Sequence, residues 1–367
     1  MRFYTIAVAL LSCLLPVLHA EEQGSRRLLY VAVPGIRDYL QYGGHGVLVF
    51  DIDHGHKFLR RIPAGGLGKK GQPLNVKGIC ASAATQRLYV STIETMECFD
   101  LATDKMLWEK PYESGCDRMS ITPDGKKLFT PSFEKKFWHV IDGESGEDLQ
   151  HIPTEKGAHN TIVSLDGKEA YLADLGSRMV QVVDTSTLKV VRSVGPFGHF
   201  VRPFTVNGVH SIGYMNVNEL LGFEVADLNS GKVLHRVEVP GFQKGPVARH
   251  GCPSHGVGLT PDEREVWVCD AHNKSLHVFD NTVSPSKYVQ SLTVRDEPGW
   301  ITFSLDGKLA YPSTGEVFEV KTRQILTALQ DEKGGPVHSE KMVEIHFDPK
   351  GKAVAVGDQF GLGRVVK

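Results

Sequence analysis

A chain of 367 residues with 41% hydrophobic content is long enough to bury one large core or two smaller ones. Its formal net charge is −2 with no long run of one sign, so there is no electrostatic footprint for nucleic acid or an anionic membrane surface. The 38 glycines suit a turn-rich globular protein.

The first residues read as a targeting segment. Met1-Arg-Phe-Tyr4 precedes an apolar run from Thr5 to Leu18, and Leu18-His-Ala20 offers a cleavage site before Glu21. Residues 1–20 are therefore expected to be a secretory signal peptide and 21–367 the mature domain. A lipid-attachment reading at Leu10-Leu-Ser-Cys13 has a very short apolar run behind it. No later apolar stretch is long enough to cross a bilayer, so the expectation is a soluble protein, periplasmic or secreted. Export leaves Cys80, Cys98, Cys116, Cys252 and Cys269, an odd number with no Cys-x-x-Cys and no haem-attachment motif. They read as small buried hydrophobes; Cys116 and Cys252 stand out because each follows a glycine just before an inner strand.

From residue 26 the chain is written in strands. Leu28–Val33, Val47–Asp51 and Lys57–Ile62 form a unit without its first strand, and Gly78–Trp108 is a unit with a degenerate turn at Ala83-Ala-Thr85. Then one pattern recurs. Ile121-Thr-Pro-Asp-Gly-Lys-Lys-Leu-Phe129 leads to Phe137-Trp-His-Val-Ile-Asp142, and Val163-Ser-Leu-Asp-Gly-Lys-Glu-Ala-Tyr-Leu172 leads to Val180-Gln-Val-Val-Asp184. Phe303-Ser-Leu-Asp-Gly-Lys-Leu-Ala-Tyr311 repeats it, and His255–Asp280 carries the fullest version. The turn aspartates Asp124 and Asp166 lie 42 residues apart, and Asp262 and Asp306 lie 44 apart. A period of roughly 40–50 residues with four strands per unit predicts a β-propeller. Units fall at about 117–153, 159–194, 201–240, 255–294 and 299–329, with a partial unit from Val343 to Val356. The fold expected is all-β: a single propeller of seven four-stranded blades, closed by N- and C-terminal strands sharing one blade. Eight blades stay open, because Ala353–Val356 competes with Leu28–Val33 for one strand position. Two insertions, Gly195–Phe200 and Gly241–Ser254, sit where binding loops are usually found on a rigid scaffold.

The Pro-Asp-Gly turn, the aromatic-Val strand, the polar Asn/Asp loop and the Val-x-Val-Ile-Asp strand resemble the YVTN-type β-propeller repeat over most of residues 26–367. The resemblance implies a propeller, within a group that also holds lactonase-like and quinoprotein-like propellers. It transfers no catalytic residue, because no catalytic motif matches position by position.

Internal repetition sorts the polar residues. Asp51, Asp100, Asp142, Asp184, Asp227 and Asp280 recur at the end of the third strand and read as turn residues. Asp53, His54 and His56 read as a solvated turn, and His139 and His277 occupy equivalent positions in alternating strands and read as pleat residues. The start of each inner strand differs. Seven residues before the turn aspartate stand Asp117, His159 and His255, which should ring one mouth of the central channel. Neighbouring positions supply Arg118, Asn160, Arg202, Trp300 and Glu344, and loops after second strands are expected to bring Arg178, Asn218, His272 and Asp358 to the same face. Asp270 joins the candidate ligand-binding set, with an Asx-turn role as its alternative.

Such a cluster suits a small polar ligand: arginines for a carboxylate or phosphate, and Trp300 for a sugar or ring face. The leading expectation is a binding or interaction module for a small polar ligand or a protein partner, acting as a monomer. The alternative is a hydrolase or lyase for a lactone or sugar derivative, with His159, His255 and His272 as acid/base groups or ligands of a divalent metal. A quinoprotein-like dehydrogenase lacks any identifiable cofactor-contacting pattern.

Overall fold

The computed structural model describes residues 24–366, so the expected signal peptide at 1–20 lies outside the described residues. Among the described residues there is no helix, and none long and apolar enough to cross a membrane. The strands assemble into seven antiparallel sheets, the blades of a seven-bladed β-propeller.

Local chemistry explains the repeat. In the turn between first and second strands, Thr122 donates its hydroxyl to Asp124 at 2.6 Å, and the same carboxylate oxygen accepts the Lys126 N–H at 3.1 Å. Ser164/Asp166, Thr260/Asp262 and Ser304/Asp306 repeat this arrangement. Gly125 must be glycine: its φ is 73°, and a Cβ would lie 2.4 Å from the Ser82 hydroxyl of the preceding blade. Asp142, Asp184 and Asp227 each accept N–H groups two and three residues on, the Asx-type turn into the outer strand.

Burial follows strand position. The inner strand Ala158–Val163 is buried at every residue, whereas the outer strand Asp148–Pro153 is largely exposed. The faces between blades carry the core. Trp138 of blade 3 is fully buried and donates its indole N–H to Thr161 of blade 4 at 2.8 Å. Trp267 of blade 6 meets Phe303 and Phe318 of blade 7 edge-on. Each such aromatic contributes on the order of 2–3 kcal/mol by leaving water.

Blade 1 is built from both ends of the chain. Its inner strand Met342–Phe347 pairs with Arg26–Val33, which is followed outward by Gly46–Asp51 and Lys57–Ile62. The competition for one strand position is thus resolved in favour of seven blades. Ala353–Val356 instead adds to the inner edge of Met342–Phe347, making this sheet five-stranded. The chain then crosses the channel. Gln359 binds the Ile79 N–H and the Met119 carbonyl, the Asp358 carbonyl accepts from Thr302, and Gly361 bonds Thr205 and Leu259. Phe360 and Leu362 bury themselves against Trp300 and the apolar flanks of blades 4 and 5. Leu259 and Val206 are the last residues of their inner strands, so the C-terminal segment stoppers the end of the channel where those strands finish.

Candidate functional site

The opposite end, where the inner strands begin, stays open as a cavity of about 200 Å³. Six basic side chains line it, Arg37, Lys77, Arg118, Arg202, Arg249 and Lys341, with Glu134 and Glu340 as the carboxylates and His159, His250 and His255 as imidazoles. Asp117 lies just behind, fully buried. Most of this charge is paired: Lys77 and Arg118 face Asp117, Arg118 and Lys341 face Glu340, and Arg249 meets Asp296 and Glu297, which leaves Arg37 and Arg202 as the lining guanidiniums with no carboxylate partner among the described residues.

Asp117 organises one wall. One of its oxygens accepts the Arg118 N–H at 2.9 Å and faces the Lys77 ammonium at 3.3 Å. The other accepts from His159 Nδ1 at 2.7 Å. Full burial favours the neutral acid, yet Lys77 and His159 hold the Asp117 carboxyl well below the usual range. Burial in turn pulls His159 below its ordinary value, against the opposing pull of Asp117. His159 is thus held as an oriented imidazole with Nδ1 tied to a carboxylate, the arrangement a general base requires.

Glu340 organises the other wall. Its carboxylate receives the Arg118 guanidinium and, at 2.8 Å, the Lys341 ammonium, which also donates to the Gly35 carbonyl at 2.8 Å. Against the cost of full burial, Lys341 and Arg118 keep Glu340 well below the usual carboxylate range. Burial pulls the Lys341 ammonium down to about 7, so its charge responds to a nearby anion. His255 Nδ1 bonds the Gly299 carbonyl at 2.9 Å, which leaves Nε2 as a lone pair, and burial followed by His250 pushes its pKa well down. Arg118 Nε and His250 Nε2 are buried without a hydrogen-bond partner. Buried polar atoms of this kind mark where a ligand or water completes the network.

His250, His255 and Glu340 each offer a donor atom within 4.8 Å of the others, a set that could hold a metal. Two cations already occupy Glu340, however, and the surrounding charge opposes a further divalent ion. The cavity favours an anion.

His159, His255, Arg118 and Arg202 line the cavity, with Asp117 supporting them. Arg202 is held by Asn218 at 2.5 Å. Trp300 does not line the cavity; its ring is covered by the Arg118 guanidinium at 4.4 Å and its N–H bonds the Gln359 carbonyl, so that face is not offered to a sugar. Asn160 is buried in the parallel bridge to Arg118. The remaining candidates lie elsewhere. His272 is exposed and sits against the Pro246 carbonyl at 3.2 Å, so the trio His159, His255 and His272 is not brought together. Arg178 donates to the Phe197 carbonyl, Asp270 binds Asn273 and His277, and Glu344 binds the Leu305 N–H and His346. Asp358 belongs to the segment stoppering the far end, where it pairs with Arg364.

Lys77, Arg249, His250, Glu340 and Lys341 went unread in the sequence, although a signal for Lys341 exists. Lys341 stands seven residues before Asp348, the interval that marks Asp117, His159 and His255. Lys77 was hidden by the degenerate turn of its blade, which offers no aspartate to count from. Arg249 and His250 come from the Gly241–Ser254 insertion.

No family model matches this sequence, and no curated protein matches it. Among solved structures, a chain from "Crystal Structure of Mitotic Checkpoint Complex" superposes with a TM-score of 0.62 at 12% identity, covering 85% of this chain and 95% of that one. That likeness establishes the propeller fold.

Proposed function

We propose that this chain is an exported propeller of YVTN-type repeats that binds a small anionic ligand, a carboxylate or phosphate ester, in the blind cavity at the open end of its channel. The observation that carries this reading is the pair of lining guanidiniums, Arg37 and Arg202, that have no carboxylate partner among the described residues, together with the unpartnered Arg118 Nε. At about 200 Å³ the recess is smaller than the 300–1,000 Å³ of drug-sized sites, which favours a ligand of few heavy atoms. Arginine and lysine around it suit planar and tetrahedral oxyanions.

Calorimetric titration with phosphate, citrate and a hexuronate tests the proposal. Binding of one ligand per chain, weakened about tenfold or more by Lys77→Met or Arg202→Met, is expected. Equal affinity in wild type and both variants would refute it.

The Asp117–His159 pair favours a second reading, proton transfer on the bound anion as in a lyase or hydrolase. In that case His159→Gln keeps ligand affinity within a fewfold while abolishing turnover of the ligand found.

A further inference from the structure

One position recurs three residues before the end of the third strand, and in most blades it clamps the loop leading into its own blade. Glu97 accepts the Gly65 N–H at 2.8 Å, Glu224 the Gly198 N–H at 2.8 Å and Glu316 the Arg295 N–H at 2.8 Å. In blade 3 the position holds His139, which performs the clamp with reversed polarity. Its Nε2 faces the Glu113 carbonyl at 3.1 Å, and a carbonyl can only accept, so Nε2 carries a proton.

That role leaves Nδ1 unexplained. A neutral imidazole protonated on Nε2 presents a lone pair at Nδ1, yet Nδ1 lies 2.5 Å from Asp148 Oδ2, another acceptor. A cation must sit between them, either a second proton or a metal ion. The outer strand supplies what a proton would not need. His151 is the direct cross-strand partner of His139, and its Nε2 converges on the same Asp148 oxygen at 2.8 Å. The two imidazoles lie 4.9 Å apart at 85°, and Phe137 stacks on His151 at 4.2 Å and fixes its plane. His139 is fully buried, while Asp148 and His151 are open to solvent at the rim, so an ion can load from water and keep a water ligand.

Blade 6 is an internal control. His277 holds the same position and pairs with Ser291. Its Nε2 meets Asp270 at 3.0 Å and its Nδ1 meets the Ser291 hydroxyl at 2.7 Å. A hydroxyl donates as readily as it accepts, so one proton on His277 satisfies everything and no cation is called for.

We propose that His139 Nδ1, Asp148 and His151 Nε2 form a divalent-metal site at the outer edge of blade 3, of the two-imidazole, one-carboxylate kind that takes zinc. The Glu113 carbonyl is the outer partner that fixes the His139 tautomer. Donor atoms on a zinc ion at about 2.0–2.1 Å stand roughly 3.3 Å apart, so Asp148 and His151 open by under about 1 Å, on an exposed strand. A ligand atom binds the ion only in its deprotonated form, so loading is coupled to proton release.

Zinc titration of the chelator-treated, full-length mature protein by calorimetry, in buffers of different ionisation enthalpy, tests this. Cobalt absorption serves as a second readout. The expected result is one ion per chain with proton release, and binding roughly 100-fold weaker in His151→Ala and Asp148→Asn, at least the loss seen when an outer partner is removed. His151 is exposed, so its variant folds, and unchanged far-ultraviolet dichroism verifies this. Wild-type affinity retained in both variants, or a His139 that stays doubly protonated by nitrogen NMR in the presence of excess zinc, would overturn the site.

Discussion

The two ends of the channel are made by the same seven inner strands and were given opposite treatments. Where the strands finish, four blades are near copies, with a Ser or Thr hydroxyl, an Asp and a tight turn, and the C-terminal segment seals this end through backbone hydrogen bonds and buried Phe360 and Leu362. Where the strands begin, the blades diverge: the same position holds Lys77, Asp117 and Arg202 in three blades and a histidine, His159 and His255, in two others. Repetition at one end specifies geometry, and divergence at the other specifies chemistry. A ring whose blades need only a common turn to close leaves the starts of its inner strands free to vary.

This contrast can be broken by experiment. Truncation after Gly357 should have the largest effect. Losing the burial of Phe360 and Leu362 and uncovering Trp300 is expected to cost about 4 kcal/mol in denaturant unfolding, while opening the cavity to water from below. Arg118→Met should cost about 3 kcal/mol, because it strips a buried carboxylate, Glu340, of one of its two cations, and it should also lower anion affinity.

On the scaffold side, burial pushes the Glu97 carboxyl up to about 7, with the Gly65 N–H pulling it down and Glu109 adding to the rise. A raised folded-state value means the contribution is complete below the ordinary carboxylate range and is lost as pH rises through about 7. Wild-type stability should therefore fall on the order of 2 kcal/mol between about pH 4.5 and 7, and Glu97→Gln should flatten that slope. Asp166→Ala removes one turn acceptor and should cost about 1 kcal/mol without touching ligand binding. A larger effect of Asp166→Ala on affinity than on stability would erase the distinction between the two ends.

The fold was legible because its signal is additive: each turn aspartate votes for the same period, and Asp124, Asp166, Asp262 and Asp306 agree. The site was legible only where that period could be extended to a position outside the repeat, as with Asp117, His159 and His255. It failed for Lys77, whose blade lacks the marker aspartate, and for Arg249 and His250, which an insertion delivers by a path with no periodicity. It failed again for Glu344, which faces the neighbouring blade and caps Leu305 instead of facing the cavity. His139 shows a further boundary. Its position said pleat, and only the identity of the groups facing each nitrogen separates it from His277.

Closure of blade 1 by the two chain ends has a consequence for the order of events during synthesis. Ser339 donates to the Ala32 carbonyl across 307 residues, and Glu340, Lys341 and the channel-crossing segment all lie beyond or beside that point. Pairings so distant in sequence form late and slowly. As the chain leaves the ribosome, six blades can stack while the first strand waits with an uncovered edge, and the cavity has no Glu340 wall until residues 339–341 emerge. A nascent chain arrested before Ser339 would carry an open, sticky edge and lack the Glu340 wall of the cavity.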